Sequence, residues 1–404
     1  MGVAQGINKQ LAFKKQSAKG TAASGSGGQL LRRETASFQK MKDTYSSNEI
    51  NSHQQHVGDK HGIAKTQATI NGNLSPATYA TLMASILRKD LSATSAIASV
   101  SLTIAGTGPY TLTRASGSFL TDGVKIGDVV RITAGTYTGT ARDINLLVTG
   151  VTATVLTVLV VNGSTLTAQG PVASSTLTVM GKKTWTPTSG HTNDYYTFEE
   201  WFSDQPLSHL YPDVQMTKAD VALPPTGNAT VALTALGLGQ RTKSGTRVLT
   251  SPTAETTTEI LAAVNGLILI NGTALSTVTS FTMAIDGQSN HGDAVIGSNF
   301  VTDIQKGDIK VTGSFSVLYE DDTLGNLFDA ETTTSLIAVI TDNDDADADF
   351  VSFVMPSIKL FSDDVDDGKK QLVRTYNFTA QYNGSGGASL ANHATTISIQ
   401  DSQS

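Results

Sequence analysis

Two stretches far apart in this chain read as one structural unit written twice, and that duplication limits the fold more than any single motif does. The first runs from Leu30 to Gly237 with an insertion in its middle; the second runs from Ser276 to Gly384. Each gives an extended segment, a long polar loop, a second extended segment, a short helix and a closing strand pair. The segment SFQKMKDTYSSN (Ser37–Asn48) lines up with SFTMAIDGQSN (Ser280–Asn290). The helix candidate Ser75–Arg88 has a shorter counterpart in Glu320–Phe328, and the strand pair in Asp213–Gly239 has one in Phe353–Gly384. Two like modules in one polypeptide point to a ring or array rather than to a fold arranged around a single active site.

The residue types favour extended chain. Only 16% of the 404 residues are charged, and Thr, Val, Ser and Gly are abundant. Branching at the β carbon suits a pleated surface, so the expected fold class is mainly β: two similar β-sandwich modules, each with a short flanking helix, plus an inserted small β domain. The apolar run Ile144–Val161 approaches the length of a membrane span. Its threonines, Gly150 and its many branched residues predict instead two strands with a turn at Gly150–Thr154. The first residues show no charged segment leading into an apolar core, so no secretory signal is expected.

The divisions follow from texture. Residues 1–29 end in a Gly/Ser/Ala tract and are expected to be a flexible arm. Residues 30–97 and 184–242 form the first module, interrupted by residues 98–183, where short Thr/Val strands alternate with glycine turns. Residues 243–275 are a Ser/Thr-rich connector, with good turn dipeptides at Asn265-Gly266 and Asn271-Gly272. Residues 276–404 are the second module with a closing strand. The clearest local signals belong to the first helix. Ser75 suits the N-cap and Pro76 the first helical position, Tyr79, Leu82, Met83, Ile86 and Leu87 make one apolar stripe, and Arg88 falls in the last turn.

Catalytic chemistry is not legible. The absence of cysteine excludes disulfides, thiolate metal sites and a cysteine nucleophile. His53 and His56 have a chelating spacing only on a helix, which nothing there predicts. Asp345, Asp347 and Asp349 have calcium-loop spacing, but Phe350 and Pro356 stand where that loop needs glycine and glutamate. Glu199 and Glu200, adjacent on a strand, point to opposite faces and make no acid–base pair. The chain is therefore read as no enzyme, with no catalytic, metal or cofactor-binding residues. Residues 1–90 carry 12 Lys/Arg against 5 Asp/Glu, while residues 300–404 carry 6 against 17. A basic end and an acidic end suit head-to-tail attraction between copies.

The order of elements, together with GINKQLAFKKQSAKGT (Gly6–Thr21), GNLSPATYATLMASILR and the closing ATTISIQDS, resembles the major tail tube protein of long-tailed bacteriophages, in a duplicated form. The resemblance spans the chain outside the insertion, on diffuse patterns rather than invariant residues. It implies a structural virion protein whose modules close a ring with a continuous inner sheet. Rings stack into a tube that conducts DNA into the host without binding it specifically, and a trimer of two-module chains gives a pseudo-sixfold ring. The long loop between early strands would reach a neighbouring subunit or ring. Here that loop is Lys42–Gly62, with Asp286–Lys306 in the second module. Interface candidates are Tyr45, Asn48, Glu49, His53, His56, Asn290, His291 and Phe300. The implied partners are further copies of the chain and other tail proteins such as the tape measure, the terminator and the tail tip, with no membrane. The implied location is the virion tail, assembled in the host cytoplasm, with the inserted domain outside the ring. Rival readings are another phage structural protein, such as a tail-tip or decoration protein, and a bacterial surface adhesin.

Overall fold

The computed structural model describes residues 3–94, 96–163, 165–366, 371–384 and 394–403. It is mainly β, as the branched residues require. The chain opens on β1 (Lys9–Lys15), which pairs with β2 (Gln29–Leu30). The long strands β3 (Thr35–Tyr45) and β4 (Lys60–Asn73) form a hairpin, followed by helix α1 (Ala80–Ile86) and β5 (Ser92–Ala93). Then come β6 (Ala96–Ala105), β7 (Tyr110–Arg114), β8 (Val129–Ala134), β9 (Leu146–Val151), β10 (Val155–Val160) and β11 (Gln169–Val179). These six close into a barrel in the order β10-β7-β6-β11-β8-β9. The apolar run Ile144–Val161 is thus a hairpin of this barrel. No helix among the described residues is long and apolar enough to cross a membrane. Strand β12 (Lys182–Trp185) leads back to β13 (Tyr196–Phe202), β14 (Leu207–Leu223), β15 (Thr230–Gly237) and β16 (Thr242–Ser244).

The second half repeats the order. β17 (Gly266–Ile270) and β18 (Thr273–Leu275) form a hairpin about Asn271 and Gly272, both at positive φ as a tight two-residue turn demands. Next are β19 (Val278–Asp286), the small pair β20 (Asn290–His291) and β21 (Ile304–Gln305), and β22 (Lys310–Leu318). Helix α2 (Thr323–Asp329) precedes β23 (Thr334–Thr341), β24 (Phe350–Asp366), β25 (Val373–Ala380) and β26 (Ser398–Asp401).

The ladders match the repeats strand for strand. The series β1-β2-β3-β4-α1-β13-β14-β15 corresponds to β17-β18-β19-β22-α2-β23-β24-β25. Val214 opposes Gly237 as Ile358 opposes Ala380, and both long strands then slip register, between Met216 and Lys218 and between Leu360 and Ser362. Earlier in each strand a bulge carries a proline, Pro212 or Pro356, in YPDV and MPSI. Proline has no N–H to give a ladder, so it fits where pairing breaks. The bulge bends each long strand, letting its first half pair with β13 or β23 and its second half with β15 or β25. Two layers result, with the core between them: Phe38 of β3 lies 5.1 Å from Phe198 and 5.2 Å from Tyr211.

Several expectations need correction. Residues 9–15 are no flexible arm, because Leu11, Ala12 and Phe13 are buried and β1 pairs along β13. Likewise β17, placed in the connector, pairs with β23. The same element is missed twice because each is a short strand followed by turn residues. The loop after β3 is shorter than Lys42–Gly62, since the ladder continues to Tyr45 opposite Lys60. In the ladders Ser37 opposes Thr69 and Thr282 opposes Ser314, so Ser37 matches Thr282 rather than Ser280. A shift of two keeps every side chain on its face, so alternation alone could not fix it.

Helix α1 starts at Ala80, well after Ser75. Ala77 sits at φ 63° with its N–H on the Asp401 carboxylate (2.8 Å), and the Pro76 carbonyl accepts from Thr258 Oγ1 (2.7 Å). Tertiary partners thus hold the groups that a first turn would use. Arg88, at φ 58°, ends the helix instead of lying in its last turn. The apolar stripe Tyr79, Leu82, Met83, Ile86 and Leu87 is fully buried.

The barrel is entered from the first repeat yet docks on the second. Its core continues into Leu269, Ile337, Val339, Phe350 and Val354 of β17, β23 and β24. Gln400 completes the join by accepting from Val129 N and donating to Val129 O, both at 2.9 Å.

Candidate assembly interface

One antiparallel ladder runs through both repeats: β3-β4-β15-β14-β19-β22-β25-β24. The joint between repeats is β14 on β19, from Lys218 opposite Asp286 to Leu223 opposite Phe281. Alternation puts Ala219, Val221 and Leu223 in the core against Phe281, Met283 and Ile285. The opposite face of the sheet is polar and nearly neutral, carrying residues such as Gln67, Thr69, Asn71, Thr282 and Ser314. Two of its cations are paired with acids, Lys218 with Asp220 at 2.8 Å and Lys65 with Asp43 at 3.2 Å, and Lys310 stands opposite Asp286 in the ladder.

A second tie is the loop after β19. Gly287 N donates to Thr217 O (2.8 Å) and Ala64 N to Asn299 O (2.8 Å), while Val301 and Ile304 pack on Ile63 and Leu238. Arg88 Nη2 donates to the carbonyls of Gly287 (3.0 Å) and Gly307 (2.6 Å). Burial alone would raise the Asp303 carboxyl, but bonds from Lys19, Tyr195 and the Ile304 amide hold it below the usual carboxylate range. Burial, with Arg88 nearby, pushes the Lys306 amine down to about 8. The second repeat therefore straps itself to the first.

The predicted interface residues divide between the two loops. Asn290, His291 and Phe300 belong to the strap. His291 Nε2 lies 3.2 Å from Thr66 O and 3.1 Å from Gly237 O, and Phe300 bridges to Ala64 and lies under Lys40 Nζ at 5.3 Å. Tyr45, Asn48, Glu49, His53 and His56 are all exposed, on β3 and the segment that follows it. His56 Nε2 lies 3.0 Å from Asp59 Oδ1, and His53 Nδ1 accepts from Gln55 N at 3.2 Å. Ile50 is fully exposed on the same loop. The equivalent of the strap in the first repeat thus has no seat on its own chain among the described residues.

The acidic run Asp342–Asp349 joins β23 to β24, and its carbonyls hold the barrel: Arg131 donates to Asp347 O (2.7 Å) and Asn145 to Ala348 O (2.8 Å). Among the described residues no group of three His, Asp or Glu side chains is placed to hold a metal. Glu199 and Glu200, read as strand carboxylates on opposite faces, are both buried. Glu199 accepts from Ser208 Oγ, Val248 N and Leu249 N, and Glu200 pairs with Lys9 at 2.5 Å. Which strands form the outer edges is not legible in the sequence; the paired YPDV and MPSI motifs are the signal that aligns the two repeats and so locates them.

A twinned sandwich, its sheet unbroken through both repeats and with no strand on either outer edge among the described residues, defines a mainly β protein of two repeats. The chain belongs to the phage tail tube protein family, whose model matches residues 6–383. No curated protein matches it. Membership makes it a structural component of the virion tail, and it implies self-assembly alongside other tail components.

Proposed function

We propose that three copies of this chain close a ring of six repeats, and that the rings stack into a tube that conducts DNA. The observation that carries this reading is the continuous sheet through both repeats, whose two outer strands, β3 and the second half of β24, have no further strand beside them among the described residues. An open edge favours pairing with another chain, and closure removes it. The near-neutral polar face suits a lumen, because DNA that must slide cannot meet many unpaired cations. On this face Asp364 and Asp366 would stand among Thr and Ser, whereas Asp363 turns toward the core; Asp367 lies outside the described residues. The barrel, docked on the other layer, would project from the outer wall. The exposed loop bearing Tyr45, Asn48, Glu49, His53 and His56 would seat on a neighbouring copy or ring. The tape measure, terminator and tail tip are the expected further partners, with assembly in the host cytoplasm.

Electron microscopy of the purified protein tests this directly. Hollow tubes or closed rings with threefold symmetry are expected, whereas dispersed monomers at every concentration would refute it.

A further inference from the structure

The joint inside the chain is a template for the joint between chains. Matching bulges make Lys218 equivalent to Ser362 and Asp220 to Asp364. Matching ladders make Ile285 equivalent to Lys40 and Ala284 to Gln39. Within the chain Ala219 opposes Ile285 and Asp220 opposes Ala284. We propose that the free edge of β24 in one copy adds to the free edge of β3 in the next, antiparallel, with Asp363 opposite Lys40 and Asp364 opposite Gln39. This rests on the ring reading above and specifies its register.

Three independent features support that register. β3 pairs only with β4, and the second half of β24 pairs only with β25, so no strand covers either edge among the described residues; on β3 the Ala36 and Phe38 carbonyls accept side-chain donors, Lys9 Nζ (3.2 Å) and Tyr211 Oη (3.3 Å). Phe361 and Val365 are more than half exposed on that edge although they belong to a strand, whereas Val221, the equivalent of Val365, is buried at the internal joint. The charges also fit. Lys40 has no carboxylate partner among the described residues, and burial together with Lys42 and Arg241 lowers its pKa. Asp363 is bonded to Arg374 through Oδ2 (3.0 Å), while its buried Oδ1 has no hydrogen-bond partner among the described residues. Where the internal joint buries Ala219 against Ile285, the external one would place a carboxylate against an amine. Such a pair lets the edge stay soluble until it meets the next copy. The same equivalence sets Lys42 N against Phe361 O, as Gly287 N is set against Thr217 O.

The lack of cysteine makes the test clean. The full-length double variant Gln39→Cys with Asp364→Cys is assembled, oxidised and run without reductant, beside Thr35→Cys with Asp364→Cys. Four residues along a strand is roughly 13 Å, beyond disulfide reach. Tubes in which only the first pair links chains into closed trimers support the register. Tubes that link through the second pair, or through neither, overturn it while leaving the ring reading intact. Absence of rings or tubes from the parent protein overturns both. Charge exchange is the second arm. Lys40→Glu is expected to raise the critical concentration for assembly by about tenfold or more, with the subunit still folded. Adding Asp363→Lys is expected to restore it, and failure to restore it in a folded subunit counts against the pairing.

Discussion

Glu199 offers the sharpest test of how the fold is held. Its carboxylate is fully buried and takes Ser208 Oγ at 2.5 Å and Val248 N at 2.7 Å on Oε1, with Leu249 N at 2.8 Å on Oε2. Glu199→Gln keeps the shape. An amide can serve the first two donors with its oxygen, but its NH2 then faces the Leu249 amide, donor against donor. Leu249 is itself fully buried, so water cannot rescue it. One orphaned N–H costs about 1–3 kcal/mol, and loss of charge weakens the other two bonds, giving about 2–4 kcal/mol in all. The loss falls on the segment around 244–249, so it is read there by hydrogen exchange. The Val248 and Leu249 amides are expected to exchange roughly 30- to 900-fold faster than in the parent. Unchanged exchange in a folded variant would show that the carboxylate does not anchor the connector.

Other outcomes follow from the same geometry. Asp303 is held below its ordinary range, so its contribution is complete above the unfolded carboxylate value and is lost as pH falls through the folded one. The strap, residues 287–309, is therefore expected to lose exchange protection in acid before the sandwich cores do. Asp303→Asn should abolish that pH dependence. Lys306, lowered to about 8, is charged in both states at neutral pH and penalised only when folded. Lys306→Met is expected to raise the melting temperature at pH 7, with the gain shrinking between pH 8 and the unfolded lysine value. Gly313→Ala would put a Cβ 2.2 Å from Thr282 O and 2.6 Å from the Phe378 ring, so a loss of about 1–3 kcal/mol or more is expected in denaturant titration. Deleting residues 47–56 is expected to leave folded subunits that make no tubes in electron micrographs. Deleting residues 99–182 uncovers Ile337, Val339, Phe350 and Val354, so aggregation is expected, and soluble thin tubes would show that the docking is dispensable.

Much of the strand pattern could be read from the chain because alternation is a local property. Alternating residues such as Ala68, Ile70 and Gly72 mark β4, and branched residues with a glycine turn mark the hairpin of β9 and β10. The helix stripe from Tyr79 to Leu87 was equally visible. The position of its first turn was not, because Asp401 and Thr258, distant in sequence, hold the backbone groups of Ala77 and Pro76. The charged-looking pair Glu199 and Glu200 gave no hint of burial, since their partners come from the connector and from Lys9.

Duplication and β class were set by residue order and type alone. Which repeat the barrel rests on, which loop finds a seat and which strand edges stay open were decided only in three dimensions. Each depends on contacts between residues far apart in the chain, where a two-residue slip preserves the pattern yet changes every partner.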